Sequence, residues 1–201
     1  MAWDVFSFIG TAAFAISGAL VAQDEEYDIF GVYILGMVTA FGGGAVRNIL
    51  LGIPASVLWN QHFLFIVASI LITFVFFFSK SIISHWNRWG TYFDAIGLAA
   101  FAIQGAMLAV DMNMSLFTVM VAAVLTGAGG GVIRDILAGR RPLIFKEDIY
   151  AIWAAGAGFF VGNGFHAYDW MLYGLLVIVA SLRILSYHYR WALPRNDKWS
   201  R

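Results

Sequence analysis

A shift of 87 residues lays this chain on itself. Gly10-Thr11-Ala12-Ala13-Phe14-Ala15-Ile16-Ser17-Gly18 falls on Gly97-Leu98-Ala99-Ala100-Phe101-Ala102-Ile103-Gln104-Gly105, with seven of nine positions identical. The same shift pairs Gly42-Gly43-Gly44 with Gly129-Gly130-Gly131, Arg47 with Arg134, Asn48 with Asp135, and Gly52 with Gly139. No gap separates the matched blocks, so the chain carries an internal duplication. Apolar runs fall at about 4–22, 29–51, 62–79, 91–110, 115–137, 149–165 and 168–187. Each is near the length of about 20 residues that a membrane-crossing helix needs. Each copy therefore holds three crossings. Three is odd, so the second copy enters the bilayer with opposite polarity. The copies are then inverted repeats about an axis in the membrane plane.

The expected architecture is an all-α polytopic membrane protein with seven transmembrane helices. It comprises a first three-helix repeat at 1–87, a second, inverted one at 88–165, and a seventh helix with a basic tail at 166–201. Composition agrees: 61% of residues are hydrophobic and only 12% charged, with a mean hydropathy of +0.79. Soluble domains carry about 25% charged residues. A net charge of zero gives no footing for a nucleic-acid partner, and the absence of cysteine excludes disulfides and thiol chemistry. The opening "MAWDVFSFIG" has neither a basic flank nor a cleavage site, so it does not read as a removable signal.

With seven crossings, the loops after the first, third and fifth share a side with the C-terminal tail. That side carries Lys80, Arg88, Arg140, Arg141, Lys146, Arg190, Arg195, Lys198 and Arg201, and the opposite loops carry no Lys or Arg. The positive-inside rule makes the basic side cytoplasmic, with the N-terminus outside.

Each triple glycine sits inside a crossing, with an arginine three residues beyond it. Glycine weakens a helix by about 1 kcal/mol relative to alanine, and a cation near the bilayer centre costs at least about 2.5 kcal/mol. One reading breaks crossings 2 and 5 at Gly42–Gly44 and Gly129–Gly131, where unwound carbonyls meet a permeating cation near the midplane. The other makes the glycines a close contact between two helices. Arg47 and Arg134 should face the bundle interior or an aqueous cavity. Each is either a satisfied structural arginine, with Asp135 as a partner for Arg134, or a charge that sets the field along a pathway. Asp135 departs from its counterpart Asn48, so the two halves are electrostatically unequal.

Ser17 and Gln104, matched in the two copies, either line the same pathway or hydrogen-bond neighbouring helices. Asp4 and Asp94 lie near the starts of their crossings and read as helix N-terminal caps. Ala154, Gly158 and Gly162 form a small-residue face for a helix neighbour or another subunit. Trp3, Trp59, Trp86, Trp89 and Trp170 read as interface anchors. His62, His85, His166 and His188 have no metal-ligand spacing, and no nucleophile–base constellation is present. No enzyme activity, cofactor or bound metal is expected.

Seven crossings built as three plus three plus one, with GGG-x-x-R in the second and fifth, resemble the short prokaryotic members of the trimeric intracellular cation (TRIC) channel family. The resemblance implies a homotrimer with one pore per subunit, walled by crossings 1, 2, 4 and 5 and kinked at the triple glycines. It implies a potassium channel, permeable to monovalent cations such as potassium or sodium and gated by voltage, in a prokaryotic plasma membrane. The fourth crossing here has no Lys or Arg, whereas animal members carry basic residues there that are linked to gating. Pore or ion-pathway residues would be Gly42, Gly43, Gly44, Arg47, Asn48, Gly129, Gly130, Gly131, Arg134, Asp135, Ser17 and Gln104. Arg140, Arg141 and Lys146 could meet anionic lipid headgroups. The rival from another class is a secondary transporter or facilitator for a small solute such as an amino acid, because inverted repeats with broken helices are also a transporter signature.

Overall fold

The computed structural model describes residues 2–54, 56–82, 89–146, 149–191 and 193, with side chains for all of these except 79–82 and 146. His85, Trp86, Arg88, Arg195, Lys198 and Arg201, and the side chains of Lys80 and Lys146, lie outside the described residues. Among the described residues, the longer helices fall on the apolar runs. They are α1 (Ala2–Asp24), α2 (Ile29–Leu50), α3 (His62–Ile82), α4 (Trp89–Asp111), α5 (Leu116–Leu137), α6 (Tyr150–Gly162) and α7 (Asp169–His188). Single helical turns at Ser56–Trp59 and Leu143–Lys146 and a 3-10 turn at Phe165–Ala167 punctuate the connections. Among the described residues there is no strand. Among the described residues, five helices (α1, α2, α4, α5 and α7) are long and apolar enough to cross a membrane on their own. Helix α6 has only 13 residues, about 20 Å at 1.5 Å per residue, short of a full crossing.

The helix ends repeat with the sequence. Asp28 Oδ1 accepts from Gly31 N at 2.8 Å to start α2, and Ser115 Oγ accepts from Thr118 N at 3.3 Å to start α5. Both helices stop at a glycine with positive φ, Gly52 at 70° and Gly139 at 69°. The amides of Ile53 and Arg140 then reach back to Asn48 O and Asp135 O, both at 2.8 Å. This is the left-handed C-terminal closure that only glycine adopts without strain.

Packing repeats as well. Helix α1 packs on α2 and α3, and α4 packs on α5 and α6; α1 also meets α4, and α2 meets α5. Helix α7 covers α4 and α6. Gly158 and Gly162 lie against Met120, Ala123 and Leu116 of α5, so this small-residue face is filled from within the chain.

One expectation is overturned. The glycine triplets break neither helix: α2 runs from Ile29 to Leu50 through Gly42–Gly44, and α5 from Leu116 to Leu137 through Gly129–Gly131. The reason is steric. Glycine is used here for what it lacks, a Cβ, and a helix that keeps its own hydrogen bonds leaves no carbonyl to be satisfied at the midplane.

Candidate functional site

Helices α1, α2, α4 and α5 form the centre, and their contacts come in pairs. The rings of Phe14 and Phe101 meet edge to face, with centroids 5.3 Å apart at 70°. Phe101 lies on Gly10, where an added Cβ would stand 2.6 Å from the ring, and Phe14 lies in the same way on Gly97. Where α2 crosses α5, a Cβ at Gly43 would run into the Thr126 carbonyl oxygen, and one at Gly130 into the Thr39 carbonyl oxygen. The hydroxyls of Thr39 and Thr126 donate to Leu35 O and Ala122 O, both at 2.6 Å. A two-fold axis between the two phenylalanines relates all these contacts, since every partner pair differs by the repeat shift.

The third glycine of each triplet faces elsewhere. The nearest atom to a Cβ at Gly44 is Arg47 Nη2 at 3.7 Å; at Gly131 it is Tyr150 Oη at 3.1 Å, then Asp94 Oδ1 at 3.3 Å. Two cavities lie on opposite sides of the waist, and Gly44 borders one of them. One, of about 610 Å³, is lined by Ser17, Asp94, Arg134, Asp135, Arg140 and Arg141. The other, of about 440 Å³, is lined by Ser7, Gly44, Arg47, Asn48 and Gln104, with Phe41 and Phe101 toward the centre. The N-terminal half of α1 borders the second and its C-terminal half the first. The cavities therefore lie toward opposite ends of α1.

In the larger cavity Arg134, 2% exposed, is fully engaged. Its Nη1 donates to Asp94 Oδ1 and Ser17 Oγ, both at 2.7 Å, and its Nε donates to Asp135 Oδ1 at 2.8 Å. The second Asp135 oxygen accepts from Leu143 N at 3.0 Å, tying the start of the next turn to the cluster. At the rim, Arg140 pairs with Asp24 and Glu25. In the smaller cavity Arg47 donates from Nε and Nη2 to Asn48 Oδ1, at 3.1 and 2.8 Å. Gln104 Nε2 donates to Ser7 Oγ. Under the repeat shift Ser7 corresponds to Asp94 and Asn48 to Asp135. Both acids of one half are thus neutral in the other.

Three participants were not visible as such in the sequence. Asp94 caps nothing: α4 starts at Trp89, and the buried carboxylate turns to Arg134 across the bundle. Tyr150 and Arg183 are both buried, with the Arg183 guanidinium 4.7 Å from the tyrosine ring centroid, a cation–π stack. Arg183 carried the same signal as Arg47, a cation inside an apolar helix.

A family model described as "Glycine transporter" matches residues 4–80 and 91–164. Over 197 residues, 98% of both chains, the protein is 58% identical to the Bacillus subtilis UPF0126 membrane protein YvgT. It superposes with a TM-score of 0.84, at 36% identity over 98% of both chains, on a structure described under conductance through TRIC cation channels. It matches a prokaryotic TRIC channel in 0.5 M KCl with a TM-score of 0.87, at 34% identity over 95% of this chain and 98% of that one. A multi-pass membrane protein of this length and helix order has a settled lineage: the chain belongs to the family of that model, and is a prokaryotic member of the TRIC channel family.

Proposed function

We propose that the protein is a cation channel, a homotrimer in a prokaryotic plasma membrane whose subunits each carry a pathway for potassium and other monovalent cations. The N-terminus and the Arg47 cavity face outward, and the basic loops and the Arg134 cavity face the cytoplasm. The observation that carries the reading is the pair of opposed cavities on a scaffold 36% identical to a TRIC cation channel structure. A cation would enter one cavity, pass the glycine crossing of α2 and α5 beside the Phe14–Phe101 pair, and leave through the other. The buried cluster of Asp94 and Asp135 with Arg134 carries one net negative charge, which favours a cation beside it, while Arg140 and Arg141 balance the acids over the cavity lining as a whole.

The test is a planar bilayer under a tenfold KCl gradient. Unitary currents should reverse near the potassium Nernst potential, about 59 mV for a tenfold ratio of a monovalent ion. Reversal near zero would remove cation selectivity. The description of the family model gives the second reading, a carrier for a small amino acid. Saturable uptake of radiolabelled glycine into liposomes, with a silent bilayer, would establish that instead.

The Phe14–Phe101 contact adds a local prediction. Phe101→Leu shortens the ring that lies on Gly10 and meets Phe14, at a stability cost of about 1–2 kcal/mol. The unitary current should rise. An unchanged current would place the constriction elsewhere.

A further inference from the structure

Arg47 lines the smaller cavity at 6% exposure, and its Nη1 has no hydrogen-bond partner. Its other two donors both go to one neutral oxygen, Asn48 Oδ1. Among the described residues Arg47 makes no ion pair. A guanidinium never gives up its charge in a protein, and a buried charge without a counter-charge is strongly unfavourable. The opposite half shows what this one lacks. Arg134 occupies the matching position and meets two carboxylates, whereas their counterparts beside Arg47 are a serine and an amide. Asp4 also lines the smaller cavity, at its exposed rim.

We propose that the Arg47 cavity binds one small monovalent anion, a halide or a formate-sized carboxylate. The anion accepts from Arg47 Nη1, the atom whose counterpart on Arg134 donates to Asp94. A volume of about 440 Å³ admits such an ion with part of its hydration shell. Asn60, Gln61 and His62 add polar groups to a wall that is otherwise largely apolar. The anion is a bound counter-charge on the outer half of the molecule. Its binding is independent of whether the chain conducts cations or carries a solute.

The test is thermal unfolding of the purified full-length chain in detergent, titrated with sodium bromide at ionic strength held constant with sodium gluconate. Wild type should show a saturable rise of about 3–5 °C, as expected for a site filled to about ten times its dissociation constant. Arg47→Gln should lose the response. Asn48→Asp rebuilds the acid of the other half in cis; it should start at a higher Tm and respond to bromide no longer. Anomalous diffraction from bromide-soaked crystals should show one peak beside Nη1. A linear, unsaturable salt effect in wild type overturns the proposal. So does a full bromide response in Asn48→Asp, which stands as a test even if Arg47→Gln fails to fold.

Discussion

Gly43→Ala should lower the unfolding temperature by about 6–12 °C, whereas Gly44→Ala, one residue along, should leave it unchanged or raise it. A methyl at position 43 meets the Thr126 carbonyl oxygen and, at 3.0 Å, the Gly130 amide nitrogen. Both are backbone atoms of a facing helix, so no rotamer change relieves the clash. Helices α2 and α5 must separate, which opens the contact at Gly130 and strips packing from Phe14 beside it. Overpacking of this kind costs about 1–3 kcal/mol, at the upper end when backbone must move, and each kcal/mol is worth about 2–4 °C in a chain of this size. At position 44 the nearest atom is a flexible arginine tip at 3.7 Å, and alanine gains up to about 1 kcal/mol of helix propensity over glycine. If the glycines served instead to unwind the helices, both substitutions would be harmful alike. Fluorescence-detected melting of the two variants separates the cases. Equal losses would sink the close-contact account.

The same residues mark where the sequence could be read and where it could not. The repeat is a statement about spacing, and spacing survives folding: Gly10 and Gly97, Phe14 and Phe101, Gly43 and Gly130 occupy equivalent places in the structure because a duplicated unit folds twice. The apolar runs lie on helices among the described residues for a similar reason, since hydrocarbon admits almost nothing but helix. The triple glycines were ambiguous because one property, the missing Cβ, serves both an unwound turn and a tight crossing. The choice depends on which helix lies opposite, and a single sequence does not say. Asp94 was misplaced for a related reason. Position near a helix start suggests a cap, but its partner Arg134 is 40 residues away in sequence. Serine at position 7, its counterpart, hid the acid's role because the repeats diverged there in charge. The small-residue stripe of α6 left two partners open, a neighbouring helix or another subunit, and Gly158 and Gly162 take the first of these by packing on α5.

Arg134→Ala should be the most damaging single change of charge, costing about 3–5 kcal/mol, because it leaves two buried carboxylates without their cation. The loss is a large fraction of the 5–15 kcal/mol that holds a typical domain folded. Asp135→Asn should cost less, about 1–3 kcal/mol. Asn48 already shows that an amide oxygen can hold an arginine through Nε and Nη2, so the principal loss is the bond from Leu143 N to Asp135 Oδ2. The decisive measurement is a double-mutant cycle of Arg134→Ala with Asp94→Ala, followed by thermal or urea unfolding. Removing both partners takes away the charge that removing one leaves stranded, so the double variant should be more stable than the sum of the two losses predicts, by about 1–3 kcal/mol. In bilayers, any Arg134→Ala protein that survives carries a more acidic inner cavity, and its reversal potential should move closer to the potassium Nernst value. Additive losses with unaltered selectivity would make Arg134 a bystander, and would leave the two acids of this half without a reason to differ from Ser7 and Asn48.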